Sequence, residues 1–178
     1  MTVSGSPRAI TLGVYPSSRG FGWAAFENPF SVADFGVFTQ LRRKNEACLE
    51  RIAALIARHE PEAVILEAFD GHESRRSRRI RLLSRAIQSL ATDRGHEVAI
   101  YSRRDVRSTF ADVAASTRDE IASAVARSVP ALGMKLPPPR RQYDSEDKRL
   151  AMFNAAALVL THYRNGATAF LDDLRDAA

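Results

Sequence analysis

The segment Ala63–Phe69, AVILEAF, constrains the fold more than any other stretch of the chain. It is continuously apolar except for one carboxylate, Glu67. A strand with one wet face alternates polar and apolar residues. A short run without alternation suits a central strand covered on both faces. A sheet with helices on both sides is therefore expected around this segment.

The flanking sequence supplies the rest of that sheet. Ile10, Leu12 and Val14 alternate, PSSRG supplies a turn, and Phe21–Phe26 resumes an extended apolar run. A third strand follows near Asp34–Thr39, which completes an antiparallel meander. Helical spacing then places Leu41, Cys48, Leu49, Ile52, Leu55 and Ile56 on one face of a helix over 41–59, stopped at Glu60-Pro61. After Asp70-Gly71, Ile80, Leu83, Ile87 and Leu90 predict a second helix over 74–94, ended by Gly95. Glu97–Ser102 reads as a fifth strand. A third helix covers 117–129, with Thr117 as N-cap and Glu120 at the capping-box position. The Pro-rich basic stretch 130–146 reads as a loop. A last helix runs from near Ser145 to near Arg164, with Asn165-Gly166 as its stop. Residues 1–8 and 167–178 are expected as tails around one domain, 9–166. The order is that of an RNase H-like α/β fold, a five-stranded mixed sheet flanked by helices on both faces. Actin-type and sugar-kinase folds share that order, so it does not decide function.

Composition narrows the partners. The formal net charge is +5 and the pI about 9.9, with arginine far ahead of lysine. A positive surface draws polyanions through its long-range field and counterion release. Mild basicity is common, however, and clustering is the sharper signal. Arg75–Arg81, RRSRRIR, holds five arginines in seven residues, and like charges at i, i+3 and i+4 repel. Phosphates would relieve that repulsion; so would pairing with Glu46, Glu50, Glu73 or the acids of a partner chain. The single cysteine, Cys48, excludes an internal disulfide and reads as a core residue. No signal-peptide pattern and no membrane-length apolar run is evident, so a cytoplasmic location and no membrane partner are expected. Trp23 and Phe21 read as core, and His162 as a C-terminal helix residue near the dipole's negative end.

Four stretches in order resemble one family, the RuvC-type Holliday-junction resolvases. LGVYPSSRGFGWAAFE is similar to their opening hairpin, and AVILEAF to the strand carrying their second catalytic acid. RRDVRSTFADVAASTRDEIASAVARSV is similar to their basic segment and following helix, and NAAALVLTHY to the end of their last helix. The resemblance implies two Mg²⁺ (or Mn²⁺) ions about 4 Å apart, clamped by roughly four carboxylates. It also implies branched DNA as partner and a two-fold homodimer.

Carried over residue by residue, the resemblance leaves that site depleted. The second acid falls on Glu67. The first falls on Tyr15, a neutral phenol at pH 7 and a poor Mg²⁺ ligand. The two helix acids fall on Ala151 and Asn154, which offer no ligand and a neutral carbonyl. A relocated site would use Glu67 and Asp147 as metal ligands with Asn154, since Asp147, Ala151 and Asn154 share one face of the last helix (i, i+4, i+7). Asp70, Asp144 or Glu146 could assist. As helix-capping residues, Glu146 and Asp147 need no metal at all. Arg107 and Arg118 fall on two lysines of the family's DNA-contacting segment. With Arg75, Arg76, Arg78, Arg79, Arg103 and Arg104 they form the expected phosphate-contacting set, and Arg85, Arg140 and Arg141 lie near.

The leading expectation is a RuvC-like nucleic-acid-binding protein with weak or no nuclease activity. The alternatives are an active metal-dependent junction endonuclease with relocated carboxylates, and a protein-interaction module that keeps the fold.

Overall fold

The computed structural model describes residues 9–71, 76–141 and 143–176. Its strands are β1 (Thr11–Pro16), β2 (Gly20–Asn28), β3 (Ser31–Thr39), β4 (Ala63–Glu67) and β5 (Glu97–Tyr101). They form one sheet in the order β3-β2-β1-β4-β5. The first three make the antiparallel meander, while β4 pairs in parallel with β1 and β5. The central strand β4 is buried from Ala63 to Leu66, as its unbroken apolar run requires.

Among the described residues six α-helices cover the sheet: α1 (Lys44–His59), α2 (Arg78–Asp93), α3 (Arg103–Thr109), α4 (Arg118–Ser128), α5 (Pro130–Gly133) and α6 (Leu150–Asp176). The side-chain alternation of β1 and β4 sorts them into two layers. Leu12, Val14, Val64 and Leu66 enter one core with Ile52, Leu55 and Ile56 of α1 and Leu83 and Ile87 of α2. Tyr15, Ile65 and Ala63 enter the other, with Ile121 and Val125 of α4 and Phe153, Ala155 and Leu158 of α6. By the same parity Glu67 lies on the α6 side of the sheet.

Two glycines set how close α6 comes. A Cβ at Gly22 would collide with the backbone of Ala151 and Met152, and one at Gly13 with the carbonyl of Ala155. Only hydrogen at these positions lets the helix rest directly on β1 and β2. Residues 151–155 are thereby pinned over the strands that carry Tyr15.

The α4 start agrees with expectation in detail: Thr117 accepts from Glu120 N–H, and Glu120 reaches back to the N-cap amide. Two expectations are corrected, and one unassigned segment gains a structure. The basic segment after β5 forms α3, opened by a second capping box of Ser102 with Asp105. The Pro-rich stretch begins with the short α5, Pro130 serving at its first position. The last helix begins five residues later than predicted and runs through Asn165-Gly166 to Asp176. Nothing lies within 4 Å of where a Gly166 Cβ would sit, so the Asn-Gly pair meets no packing that would end the helix there.

A basic cleft with its carboxylates engaged

A cleft of about 690 Å³ opens beyond the carboxyl ends of β1 and β4. Crevices at this end of an open α/β sheet are where such folds bind ligands. Tyr15, Glu67, Arg76, Arg103, Arg104, Arg118, Asp147 and Ala151 line it. Beneath it, a small recess collects Tyr15, Glu67, Arg103, Arg118 and Asn154. The positions that the family resemblance singles out therefore converge, although they lie on three separated stretches of chain.

The chemistry at that convergence is not that of a metal centre. Tyr15 is 5% exposed, and its phenol pKa is raised by burial, then by Glu67, with Arg76 and Arg118 pulling the other way. It is therefore neutral. The Glu67 carboxylate accepts a hydrogen bond from the Arg76 guanidinium in a tight ion pair. Only 12% of the Arg76 side chain and 11% of the Glu67 side chain remain exposed. Arg76 also donates to the Pro16 carbonyl at 2.7 Å and lies over the Tyr15 ring, 4.4 Å from its centroid.

Asp147 is likewise engaged. It lies before α6 rather than on it, and so does not share a helical face with Ala151 and Asn154, contrary to expectation. Its carboxylate accepts from the Arg149 side chain at 2.8 and 3.0 Å and from the Arg149 amide at 2.8 Å. Hydrogen bonds from the Arg149 side chain hold its pKa below the usual carboxylate value, against a partial opposing effect of burial. Asp147 thus braces the chain entering α6, through Arg149 and through its own carbonyl, which accepts from Leu150 N–H at 3.0 Å.

The other two acids of the cleft are also paired, Asp70 with Arg85 at 2.7 Å and Glu146 with Arg118 at 3.3 Å. Among the described residues no group of three or more His, Cys, Asp or Glu side chains is arranged to hold a metal ion. The residues present therefore do not fit the two-metal site that the family resemblance implies. A carboxylate saturated by guanidinium, a phenol and an alanine make a poor cradle for a hard dication.

The cations of the cleft are a different matter. Arg19, Arg103, Arg104 and Lys148 line it and have no ion pair or side-chain hydrogen bond to their charged groups among the described residues. Burial first, then Arg118 and Arg107, lowers the pKa of Arg103, which records how crowded these positive charges are. Asn154 Nδ2 and Arg118 Nε are buried without a hydrogen-bond acceptor. The guanidiniums of Arg103 and Arg104, without ion pairs among the described residues, suit the cleft to anionic oxygen.

The remaining predicted arginines divide. Arg79 turns inward, donating to the Ser17 carbonyl and to Asn45 Oδ1 at 2.9 Å, so it organises the β1–β2 turn rather than facing solvent. Arg78 and Arg107 are exposed outside the cleft. Arg75 lies outside the described residues. Arg19 and Lys148 were missed by the sequence reading, because each sits alone in a turn with no periodic or clustered signal. His162 was expected near a helix end but lies inside α6, where its Nδ1 meets the Tyr101 hydroxyl at 2.9 Å.

This combination of meander, parallel strands and terminal cleft is the RNase H-like fold in its RuvC form. The structure is similar to that of Thermus thermophilus RuvC, with a TM-score of 0.64 and 20% identity over 90% of this chain and 96% of that one. It is also similar to T. thermophilus RuvC in complex with a Holliday junction substrate, with a TM-score of 0.60 and 20% identity over 86% and 92% of the two chains. The yeast mitochondrial Holliday junction resolvase gives a TM-score of 0.52 and 15% identity over 94% and 87%. No family model matches the chain, and no curated protein sequence does. No helix among the described residues is long and apolar enough to cross a membrane.

Proposed function

We propose that this protein binds branched or duplex DNA through the basic cleft and does not cleave it by metal-dependent hydrolysis. The observation that carries this reading is the state of the cleft's charges. Its acids are spent on arginines of the same chain, while Arg19, Arg103, Arg104 and Lys148 are left to face a polyanion. Phosphodiester oxygens suit such a surface, since arginine holds them in bidentate fashion and the counterions they release favour binding. The likeness to a resolvase solved with its junction makes a four-way junction the first DNA to test. Two copies related by a two-fold axis would present two such clefts to a symmetric junction.

Two assays test the reading. Fluorescence anisotropy with a labelled four-way junction and a duplex of matched sequence, in EDTA and in Mg²⁺, should show binding that falls steeply with salt and does not need the metal. Cleavage of the same junction in Mg²⁺ or Mn²⁺ should be undetectable. Metal-dependent cleavage by the wild type that Glu67→Gln abolishes would establish the nuclease instead. Failure to bind any DNA or RNA at low salt would favour a protein-interaction module.

A further inference from the structure

We propose that Arg76 is a resident cation that occupies Glu67 in place of a divalent metal and bars metals from the cleft. This inference concerns the protein without DNA, so it does not depend on the DNA-binding reading. Several observations converge on it. Around the Arg76 guanidinium lie a carboxylate, a backbone carbonyl and the face of a phenol ring. Each is an electron-rich group of the sort that gathers about a positive charge. The pair is nearly enclosed, so the charge cannot be screened away by solvent as a surface salt bridge would be.

The position matters as much as the pairing. Glu67 is the sole carboxylate left among Tyr15, Glu67, Ala151 and Asn154, and Arg76 reaches that one. A metal ion would have to take the carboxylate from a guanidinium that has two further anchors. It would also meet fixed positive charge from Arg103 and Arg118 on the way in. The guanidinium supplies a fixed positive charge with directional N–H donors, at the cost of the Lewis acidity that polarises a phosphoryl group. Its charge does not depend on metal supply. Arg76 thus differs from the arginines of α2 that face solvent: it belongs to the interior electrostatics of the fold.

Mn²⁺ binding, read by the free-ion EPR signal in a DNA-free buffer, tests this directly. The comparison is between a variant with the carboxylates restored (Tyr15→Asp, Ala151→Asp, Asn154→Asp) and the same variant with Arg76→Ala added. Removing Arg76 should tighten Mn²⁺ binding by more than about tenfold, which is a difference of 1.4 kcal/mol. Equal affinity with and without Arg76 would overturn the proposal. If the restored variants fail to fold, Arg76→Ala in the native background keeps the question open to measurement. Millimolar Mn²⁺ or methylguanidinium should raise its melting temperature by several degrees and leave the wild type unmoved. No shift specific to Arg76→Ala, or the same shift in the wild type, would overturn the proposal as well. Failure of the wild type to bind DNA would count against the functional reading above and not against this one.

Discussion

The guanidinium of Arg76 stacks over the ring of Tyr15, 4.4 Å from its centroid, while the same group is bound by Glu67. Tyrosine at this position thus contributes to holding the arginine. An aspartate would compete with Glu67 for the arginine, whereas the neutral ring offers its negative face without adding a charge. The ring, the carboxylate and the arginine fit one another, and together they make a corner without net charge, flanked by cations that have no ion pair among the described residues.

The ion pair can be apportioned by a double-mutant cycle. Arg76→Met leaves the enclosed Glu67 carboxylate without a partner and should cost about 3 kcal/mol in urea unfolding. Glu67→Leu, which strands the guanidinium, should cost a similar amount. The double variant should return to within about 1 kcal/mol of wild type, because two apolar side chains of similar volume desolvate nothing. Additive losses would show that the two residues contribute separately.

DNA binding should respond to Arg103 in a way that identifies phosphate contacts. For each contact removed, the slope of log K against log salt should shrink by about 0.9 on duplex DNA. Arg103→Ala should therefore weaken binding similarly for all sequences and flatten the salt dependence by about one unit. Arg127→Ala, on the exposed end of α4 away from the cleft, should leave both unchanged.

Two glycines, one on β2 against α6 and one on α6 itself, should behave oppositely on substitution. Gly22→Ala forces a methyl group into the α6 backbone and should lower stability by about 3 kcal/mol, at the upper end of overpacking costs. Gly166→Ala sits in an open helical position and should raise helix content, with a local gain of about 0.5–1 kcal/mol read by hydrogen exchange across 163–170. If Gly166→Ala slows no exchange in that stretch, the helix ends there in solution.

The α4 capping box predicts an acid-dependent loss of stability. Backbone N–H bonds from Thr117 and Ser116, followed by their hydroxyls, hold the Glu120 carboxyl at about 2, against 4.5 for the unperturbed group. The unfolded chain therefore takes up this proton first as pH falls. The stabilisation is complete above about pH 4.5 and is lost as pH drops through about 2. Urea midpoints of wild type and Glu120→Gln should differ most near pH 6 and converge toward pH 2. A constant difference across that range would show that the charge of Glu120 contributes nothing.

Much of the architecture was legible from short-range pattern. The unbroken AVILEAF run, the alternation of Leu12 and Val14 and the Thr117–Glu120 pair each encode their structure within a few residues, where sequence separation and spatial separation coincide. The same holds for Ser102 with Asp105, a signal that was present and unread. The α6 terminus was misread because Asn-Gly is a stop only where a turn is favoured by its surroundings. The cleft itself was half legible: the convergence of Tyr15, Glu67 and Asn154 follows from the order of the elements and the parity of the strands.

Periodicity alone identified which faces are apolar, and hence the layering of sheet and helices. Only the tertiary structure decided which charges meet. An arginine in a basic run carries the same signal whether it faces solvent, as Arg78 does, or reaches back across the β1 end to Glu67, as Arg76 does. Hydrophobic burial depends on periodicity, which a sequence displays; ion pairing depends on the distance between two charged ends, which folding alone sets.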